Sequence, residues 1–143
     1  MKKDDQEILK EVQKNTGMAM KAIHTISDKV YDKKMKYELA KEGRKYSELY
    51  HKAEDSLMQE QVDGYHENVI EDMMLKSAIH MNTMFNCSTG KIAELMIQGS
   101  NRGITSMWKS MNHHPDATAT SVEVAKELMD LEEKCIGQLK NFL

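Results

Sequence analysis

Two glutamates, Glu42 and Glu132, each stand within an otherwise apolar helical stripe. Successive residues of an α-helix turn through about 100°, which places the neighbours of each glutamate on one face of its helix. The stripe residues are Met35, Leu39, Gly43, Tyr46, Tyr50, Ala53 and Leu57 around Glu42, and Ser121, Ala125, Leu128, Cys135, Leu139 and Phe142 around Glu132. A carboxylate in such a position can ligate a metal ion, take part in catalysis or form a paired structural charge, and the pattern leaves all three roles open.

The surroundings of the two carboxylates decide among these roles. A glutamate at the edge of a stripe reaches solvent or pairs with a lysine or arginine of the next helix, which is a structural role. If Glu42 and Glu132 instead meet in an apolar interior, each raises the pKa of the other. One of them would then hold a proton or a cation, and the pair would be a candidate site even without a metal.

A second group of candidate ligands lies between residues 66 and 84. Met73, His80 and Met84 share one helical face, with His66 two turns before Met73. Thioether and imidazole groups at this spacing suit Cu(I). A methionine stripe also suits adaptable core packing or a surface that binds a partner.

The sequence lacks the motifs that mark common catalytic sites. It contains no nucleophile motif, no phosphate-binding loop and no carboxylate pair of the glycosidase type. Cys87 and Cys135 form no CxxC pair, and we interpret both as small apolar residues rather than as a disulfide. We therefore expect a protein without enzymatic activity.

Four long amphipathic helices are predicted to position the two glutamates. Apolar periodicity places them at about 4–28, 33–58, 89–112 and 120–142, with a further helical segment at about 67–85. This order predicts two antiparallel helical hairpins joined by a long, partly helical crossover. The expected architecture is an all-α four-helix bundle that forms a single domain over all 143 residues.

Polar residues mark the predicted starts of these helices. Asp28 or Asp32 is expected to cap the second long helix, and Ser88 is expected to cap the third. Thr120 and Glu123 have the spacing of a capping box at the start of the last helix.

Gly17, Gly99 and Gly103 are glycines inside predicted helices that bear on how the helices pack. Gly17 costs about 1 kcal/mol relative to alanine in the middle of a helix, a cost that the close approach of a neighbouring helix would offset. Gly99 and Gly103 are one turn apart in the third long helix. Because glycine has no Cβ, a partner backbone is expected to come close there.

Composition and charge support the same fold class and reduce the classes of molecule that are expected as partners. A single proline, few aromatic residues and no alternating block of valine, isoleucine and threonine indicate an all-α protein. The net charge is -3 with both signs interspersed, so neither nucleic acid nor a membrane surface is an expected partner. No stretch approaches the ~18 apolar residues of a membrane span, and the first residues lack a signal-peptide run, which predicts a cytoplasmic protein.

This layout resembles the ferritin-like superfamily, and more closely the small bacterial ferritin-like bundles of unknown function. In those bundles the first helix carries a glycine after an apolar start, and here Ile8, Leu9 and Val12 precede Gly17. The resemblance implies a four-helix bundle with two iron or two manganese ions inside. Such a centre takes a glutamate from each of the first and third bundle helices and Glu-x-x-His from each of the second and fourth.

The resemblance assigns metal-ligand positions to Glu42 and Glu132, whereas the other ligands are missing. Lys45 and Cys135 stand three residues after the two glutamates, where the pattern has histidines. The remaining two helices offer Thr16, Met18, Ala19 and Met20 in the first, and Gln98, Gly99 and Ser100 in the third. With two of six ligands present, neither a complete two-metal site nor ferroxidase activity is expected.

The preferred hypothesis for function is an interaction module that holds no cofactor. Such a bundle would bind another protein or itself through exposed apolar residues such as Met74, Phe85 or Trp108. A homodimer is favoured, because the crossover should cover one bundle face and leave methionine-rich area near the other.

Two alternative hypotheses use the seam carboxylates. In the first, Glu42 and Glu132 are the remnant of a one-metal site for iron or manganese, assisted by His24 or His80. In the second, they orient a polar group of a small ligand inside a methionine-lined pocket.

Overall fold

The chain folds into five α-helices and contains no β-strand, which confirms the all-α prediction. The computed structural model describes residues 1–143. The helices are α1 (Lys3–Ser27), α2 (Lys33–Gln59), α3 (Val69–Thr83), α4 (Thr89–His113) and α5 (Ala119–Leu139), and a short 3-10 helix follows at Lys140–Phe142. None of the five combines the length and the hydropathy needed to cross a lipid bilayer.

The four long helices pack side by side in two hairpins. α1 packs along α2, and α4 packs along α5, each pair being joined by a short turn. The first turn of α1 lies beside the first turn of α5, because Asp5 accepts a 2.7 Å hydrogen bond from the Thr118 backbone N–H. α1 and α5 therefore run in one direction, and α2 and α4 run in the other.

One apolar core lies between these helices. The predicted stripes supply it, and Ile8 and Val12 of α1, Leu39 of α2, Ile92 of α4 and Leu128 of α5 are among its fully buried members. Such burial contributes about 1.5–3 kcal/mol for each large aliphatic side chain.

Two of the predicted helix caps are confirmed and one is wrong. Asp32 accepts a hydrogen bond from the Met35 N–H, and Ser88 accepts one from the Lys91 N–H. The capping box is not formed, since α5 begins earlier, with Thr118 as an N-cap residue whose side chain makes no capping bond.

Asp5 of α1 takes over the capping role at the start of α5. Its buried carboxylate accepts hydrogen bonds from the Thr118 N–H, the Thr118 hydroxyl and the Ser121 hydroxyl. Burial raises the pKa of Asp5, but these hydrogen bonds outweigh it and hold the pKa below its ordinary value. An acceptor from another helix thus replaces the local one that the sequence predicts.

The crossover carries the chain along α1 from the end of α2 to the start of α4. Gln13 is buried in α1 and accepts a 2.7 Å hydrogen bond from the Tyr65 N–H. One turn into the crossover helix, Asp72 accepts a 2.6 Å hydrogen bond from Lys21 of α1. α3 itself is shorter than predicted at both ends, and Asn68 caps its first turn.

Candidate functional site

Glu42 of α2 and Glu132 of α5 are both buried, with 3% and 2% of their surface exposed. They lie close enough for the charge of Glu132 to raise the pKa of Glu42. Neither carboxylate forms an ion pair with a lysine or arginine. The interpretation as solvated or paired structural charges is therefore wrong, and the two acids share a polar region inside the core.

Hydrogen-bond donors from α2 and α4 surround Glu132. The Tyr46 phenol donates to Glu132 Oε2 at 2.5 Å, and the Ser100 hydroxyl lies beside the same carboxyl. Gly103 leaves room for it, because a Cβ at that position would come within 2.5 Å of Glu132 Oε1. Burial raises the pKa of Glu132 to about 7, although both hydrogen bonds oppose the shift. Glu132 can thus change its protonation state near neutral pH.

The donor beside Glu42 is the Cys135 thiol, and it leaves one carboxyl oxygen of Glu42 without a partner. No protein group donates a hydrogen bond to its buried Oε2 atom. Burial raises its pKa to about 8; the Cys135 thiol opposes this shift, and the carboxyls of Glu38 and Glu132 add to it. Because the nearest charged groups are also acids, the Glu42 carboxyl needs a proton or an external cation to be stable in this position.

Two weaker acids connect the carboxyls. Burial and the charge of Glu132 raise the pKa of Tyr46, so that the phenol keeps its proton and remains a donor. Burial and the neighbouring Glu42 also raise the pKa of the Cys135 thiol. We name this group the carboxyl cluster, with the members Glu38, Glu42, Tyr46, Glu132 and Cys135. It contains no cationic side chain.

Two open cavities approach the cluster from different sides. A groove of about 580 Å³ between α2 and α5 reaches Glu42 and Cys135. A smaller cleft of about 280 Å³, lined by residues of α1, α3 and α4, reaches Tyr46 and Glu132. The cluster therefore lies between two entrances for solvent or a small ligand.

The histidines proposed to assist a metal lie on the surface. His24 of α1 and His80 of α3 are both exposed. Nowhere in the structure are three histidine, cysteine, aspartate or glutamate side chains grouped so that they could hold a metal ion. Whether Glu42 and Glu132 bind a single iron or manganese ion stays a prediction.

The residues around Glu132 do not fit the two-metal centre that the ferritin-like resemblance implies. One carboxylate oxygen of Glu132 is occupied by Tyr46, and the other lies against Gly103. Of the two positions that would carry histidine, Lys45 is exposed and Cys135 places a thiol beside Glu42.

Two of the proposed copper ligands, Met73 and Met84, belong to a second feature, the outward side of α3. His66, Met73, His80 and Met84 are all exposed. Together with their neighbours they form an apolar surface rather than a closed ligand set. We name this surface the outer face of α3; its members are Ile70, Met73, Met74, Ser77, Met81, Met84 and Phe85. Its large side chains are 63% to 95% exposed.

The opposite side of α3 makes polar contacts with α1. Lys21 contacts Asp72 at 2.6 Å and Glu67 at 3.2 Å, and Lys14 lies 3.8 Å from Glu71. Only Ile79 and Thr83 of this helix are buried. α3 thus turns ionic contacts toward the bundle and its main apolar face toward solvent.

For several residues of these sites, the sequence pattern does not predict the surroundings that the structure shows. The expected approach of a partner backbone at Gly99 and Gly103 is wrong, since a Cβ at Gly99 would meet no atom within 4 Å and the space at Gly103 holds the Glu132 carboxylate. Glu38, which is not part of the apolar stripe of α2, is buried. The position of Tyr46 in the same stripe as Glu42 was the one signal that pointed to a buried hydroxyl near the acids.

The two cysteines are expected to differ in reactivity toward a thiol reagent. Cys87 is partly exposed, whereas Cys135 is buried with a raised pKa. Because the thiolate is the nucleophile, native protein should release one equivalent of thionitrobenzoate per chain from Ellman's reagent, and a second only in denaturant. The Cys87→Ser variant should release none while folded. Rapid release of two equivalents from native wild type would contradict the buried position of Cys135.

Comparison with protein-family models, curated proteins and solved structures found no match for this chain. Its function must therefore be inferred from the two features described above, the carboxyl cluster inside the bundle and the outer face of α3.

Proposed function

We propose that this protein is a non-enzymatic interaction module of the ferritin-like type that forms a homodimer through the outer face of α3. The observation that carries the proposal is the orientation of this helix, whose large apolar side chains face solvent while its ionic side faces α1. Soluble monomers rarely expose a contiguous apolar surface of this kind, and such surfaces mark sites of association.

The size of the outer face supports an interface of ordinary dimensions. Six large apolar side chains, at about 100 Å² of apolar surface each and 63% to 95% exposed, amount to roughly 430 Å². A standard interface buries about 800 Å² per partner, of which about 60% is apolar. The outer face therefore supplies about the apolar area that one side of a stable dimer needs.

The order of residues on the outer face supports a second copy as the partner. Ile70 and Met84 lie seven residues on either side of Ser77, and Met73 and Met81 lie four residues on either side. Two antiparallel α3 helices that cross at Ser77 would therefore place Met73 against the partner's Met81. A two-fold interface requires this self-complementarity, and the small serine side chain at the axis lets the helices approach closely.

The directions of the helices support the ferritin-like part of the proposal. α1 and α5 run in one direction and α2 and α4 in the other, with a crossover along the bundle between the two hairpins. Ferritin-like bundles use the same connectivity, in which one long crossover joins two helical hairpins.

The dimer is tested by light scattering on a gel-filtration column. Wild type is expected to elute at twice the chain mass, and the double variant Met73→Glu, Met81→Glu at the mass of one chain. Because like charges would face each other in the desolvated interface, we expect the dimer dissociation constant to rise by about 100-fold or more. The control Met58→Glu replaces an equally exposed methionine of α2 and should remain dimeric.

A charge-reversed variant tests the antiparallel register. Met73→Glu combined with Met81→Lys in one chain should restore the dimer, since each new acid would face a new base of the partner. A parallel pairing would instead oppose acid to acid and base to base. Monomeric wild type at all concentrations, or dimers that survive the double glutamate variant, would refute the interface.

A further inference from the structure

The groove between α2 and α5 ends at a buried carboxylate, one oxygen of which lacks a hydrogen-bond donor. Glu42 lines this groove of about 580 Å³, and its Oε2 atom is buried without a hydrogen-bond partner. Leaving a buried acceptor unpaired costs about 1–3 kcal/mol, so such atoms are rare in folded proteins unless a ligand or ion satisfies them. Glu42 lines the wall of the groove, so a small molecule bound there lies beside this carboxyl.

A second carboxylate stands next to the first. Glu38 lies one helical turn before Glu42, is buried as well, and lines the same groove. Its carboxyl is near enough to raise the pKa of Glu42. Two adjacent acids on one wall, with no lysine or arginine paired to either, match a ligand that donates several hydrogen bonds from one positive centre.

The charges of the whole groove favour a monovalent cation. Five carboxylates and four lysines line it, so that the groove carries one net negative charge once Glu42 has lost its proton. On the rim, Lys52 already pairs with Glu127 at 2.7 Å. At the floor, neither Glu38 nor Glu42 forms an ion pair with a lysine or arginine.

The walls above the floor include apolar surface. Leu49 of α2 and Leu131 of α5 also line the groove. A divalent metal ion would require further protein ligands, and three suitable side chains are not grouped here. An organic cation could instead contact the leucines with an apolar stem while its charged end reaches the floor.

We infer that the groove between α2 and α5 binds a small primary alkylammonium ion, whose N–H groups donate to Glu42 Oε2 and Glu38. The short alkyl stem lies between Leu49 and Leu131, and the rim charges remain solvated. This site is independent of the outer face of α3, so it can be present whether or not the protein dimerises.

The inference is tested with n-butylammonium as the probe. Protein with ¹³C-labelled glutamate is titrated with the probe at constant ionic strength, and the side-chain carboxyl signals are followed by NMR. We expect saturable shifts of the Glu42 and Glu38 signals, and at least tenfold weaker binding by Glu42→Gln. Tetramethylammonium has the same charge but no N–H donor, and n-butanol has the stem but no charge. Both should bind at least tenfold more weakly than n-butylammonium.

Glu133→Gln serves as the matched control variant, because Glu133 is exposed on α5 outside the groove. It should bind n-butylammonium with unchanged affinity. A thermal unfolding curve of Glu42→Gln shows whether that variant is folded. The variant Leu131→Trp fills the groove and leaves both carboxyl groups in place, and it should also abolish binding of n-butylammonium. Equal shifts with tetramethylammonium, or no saturable shift at Glu42 with n-butylammonium, would overturn the inference.

Discussion

Raising the pH from 5 to 9 is expected to lower the free energy of unfolding of this protein by several kcal/mol. The pKa values of Glu132 and Glu42 rise from the ordinary 4.5 to about 7 and about 8 in the folded state. Between 4.5 and these values the folded protein binds more protons than the unfolded chain. The free energy of unfolding is therefore highest below pH 4.5, and this stability is lost as the pH rises through 7 and 8. The loss is up to about 1.4 kcal/mol per pH unit for each carboxyl that is ionised in the unfolded chain and still protonated in the folded protein.

The measurement is chemical denaturation at several pH values at constant ionic strength. The double variant Glu42→Gln, Glu132→Gln carries neutral amides of similar size and should lose most of the pH dependence between 5 and 9. Glu132→Gln also keeps an oxygen that can accept from Tyr46. Glu133→Gln, the exposed neighbour, should leave the wild-type slope unchanged. A wild-type stability that is constant over this range would show that the two carboxyls are not desolvated.

Gly103→Ala is expected to destabilise the protein by about 2–3 kcal/mol, whereas Gly99→Ala should stabilise it by up to about 1 kcal/mol. Both glycines lie in α4, where alanine is the better helix former. At Gly99 a Cβ meets no atom within 4 Å, while at Gly103 it would come within 2.5 Å of Glu132 Oε1. The carboxylate would have to move and lose its hydrogen bond from Tyr46.

A double-mutant cycle separates this clash from a general effect on the helix. In the Glu132→Ala background the new methyl group has space, so Gly103→Ala should then cost much less than in wild type. Thermal unfolding of the four proteins gives the coupling free energy between the two positions. Equal and additive costs, or destabilisation by Gly99→Ala of the same size, would contradict the packing of Glu132 against α4.

The helices, and the positions of Glu42 and Glu132 within apolar stripes, could be predicted from the sequence because both depend on local periodicity. A rotation of 100° per residue determines which side chains share a face. Whether a glutamate on that face is buried or reaches solvent depends on the helices packed around it. The caps Asp32 and Ser88 are local in the same sense, since each bonds an N–H three residues later.

The remaining features depend on contacts between helices, which periodicity does not contain. Glu38 is buried because α5 lies across the groove from it, and Asp5 is buried because it meets the start of the same helix. Similarly, the apolar stripe of α3 is visible in the sequence, but its outward direction follows from the pairing of Lys21 with Asp72. The burial of Glu38 and Asp5 and the orientation of α3 are therefore determined by residues that are far away in the chain.

The capping of α5 by Asp5 also bears on the order of folding. Asp5 and Thr118 are separated by 113 positions, so their contact closes one of the longest loops in the molecule. Such a contact has a high entropic cost until the intervening segments are in place, which makes it a late event. The last helix is therefore completed only when the first is docked, and the amino-terminal and carboxy-terminal halves mature as one cooperative unit rather than one after the other.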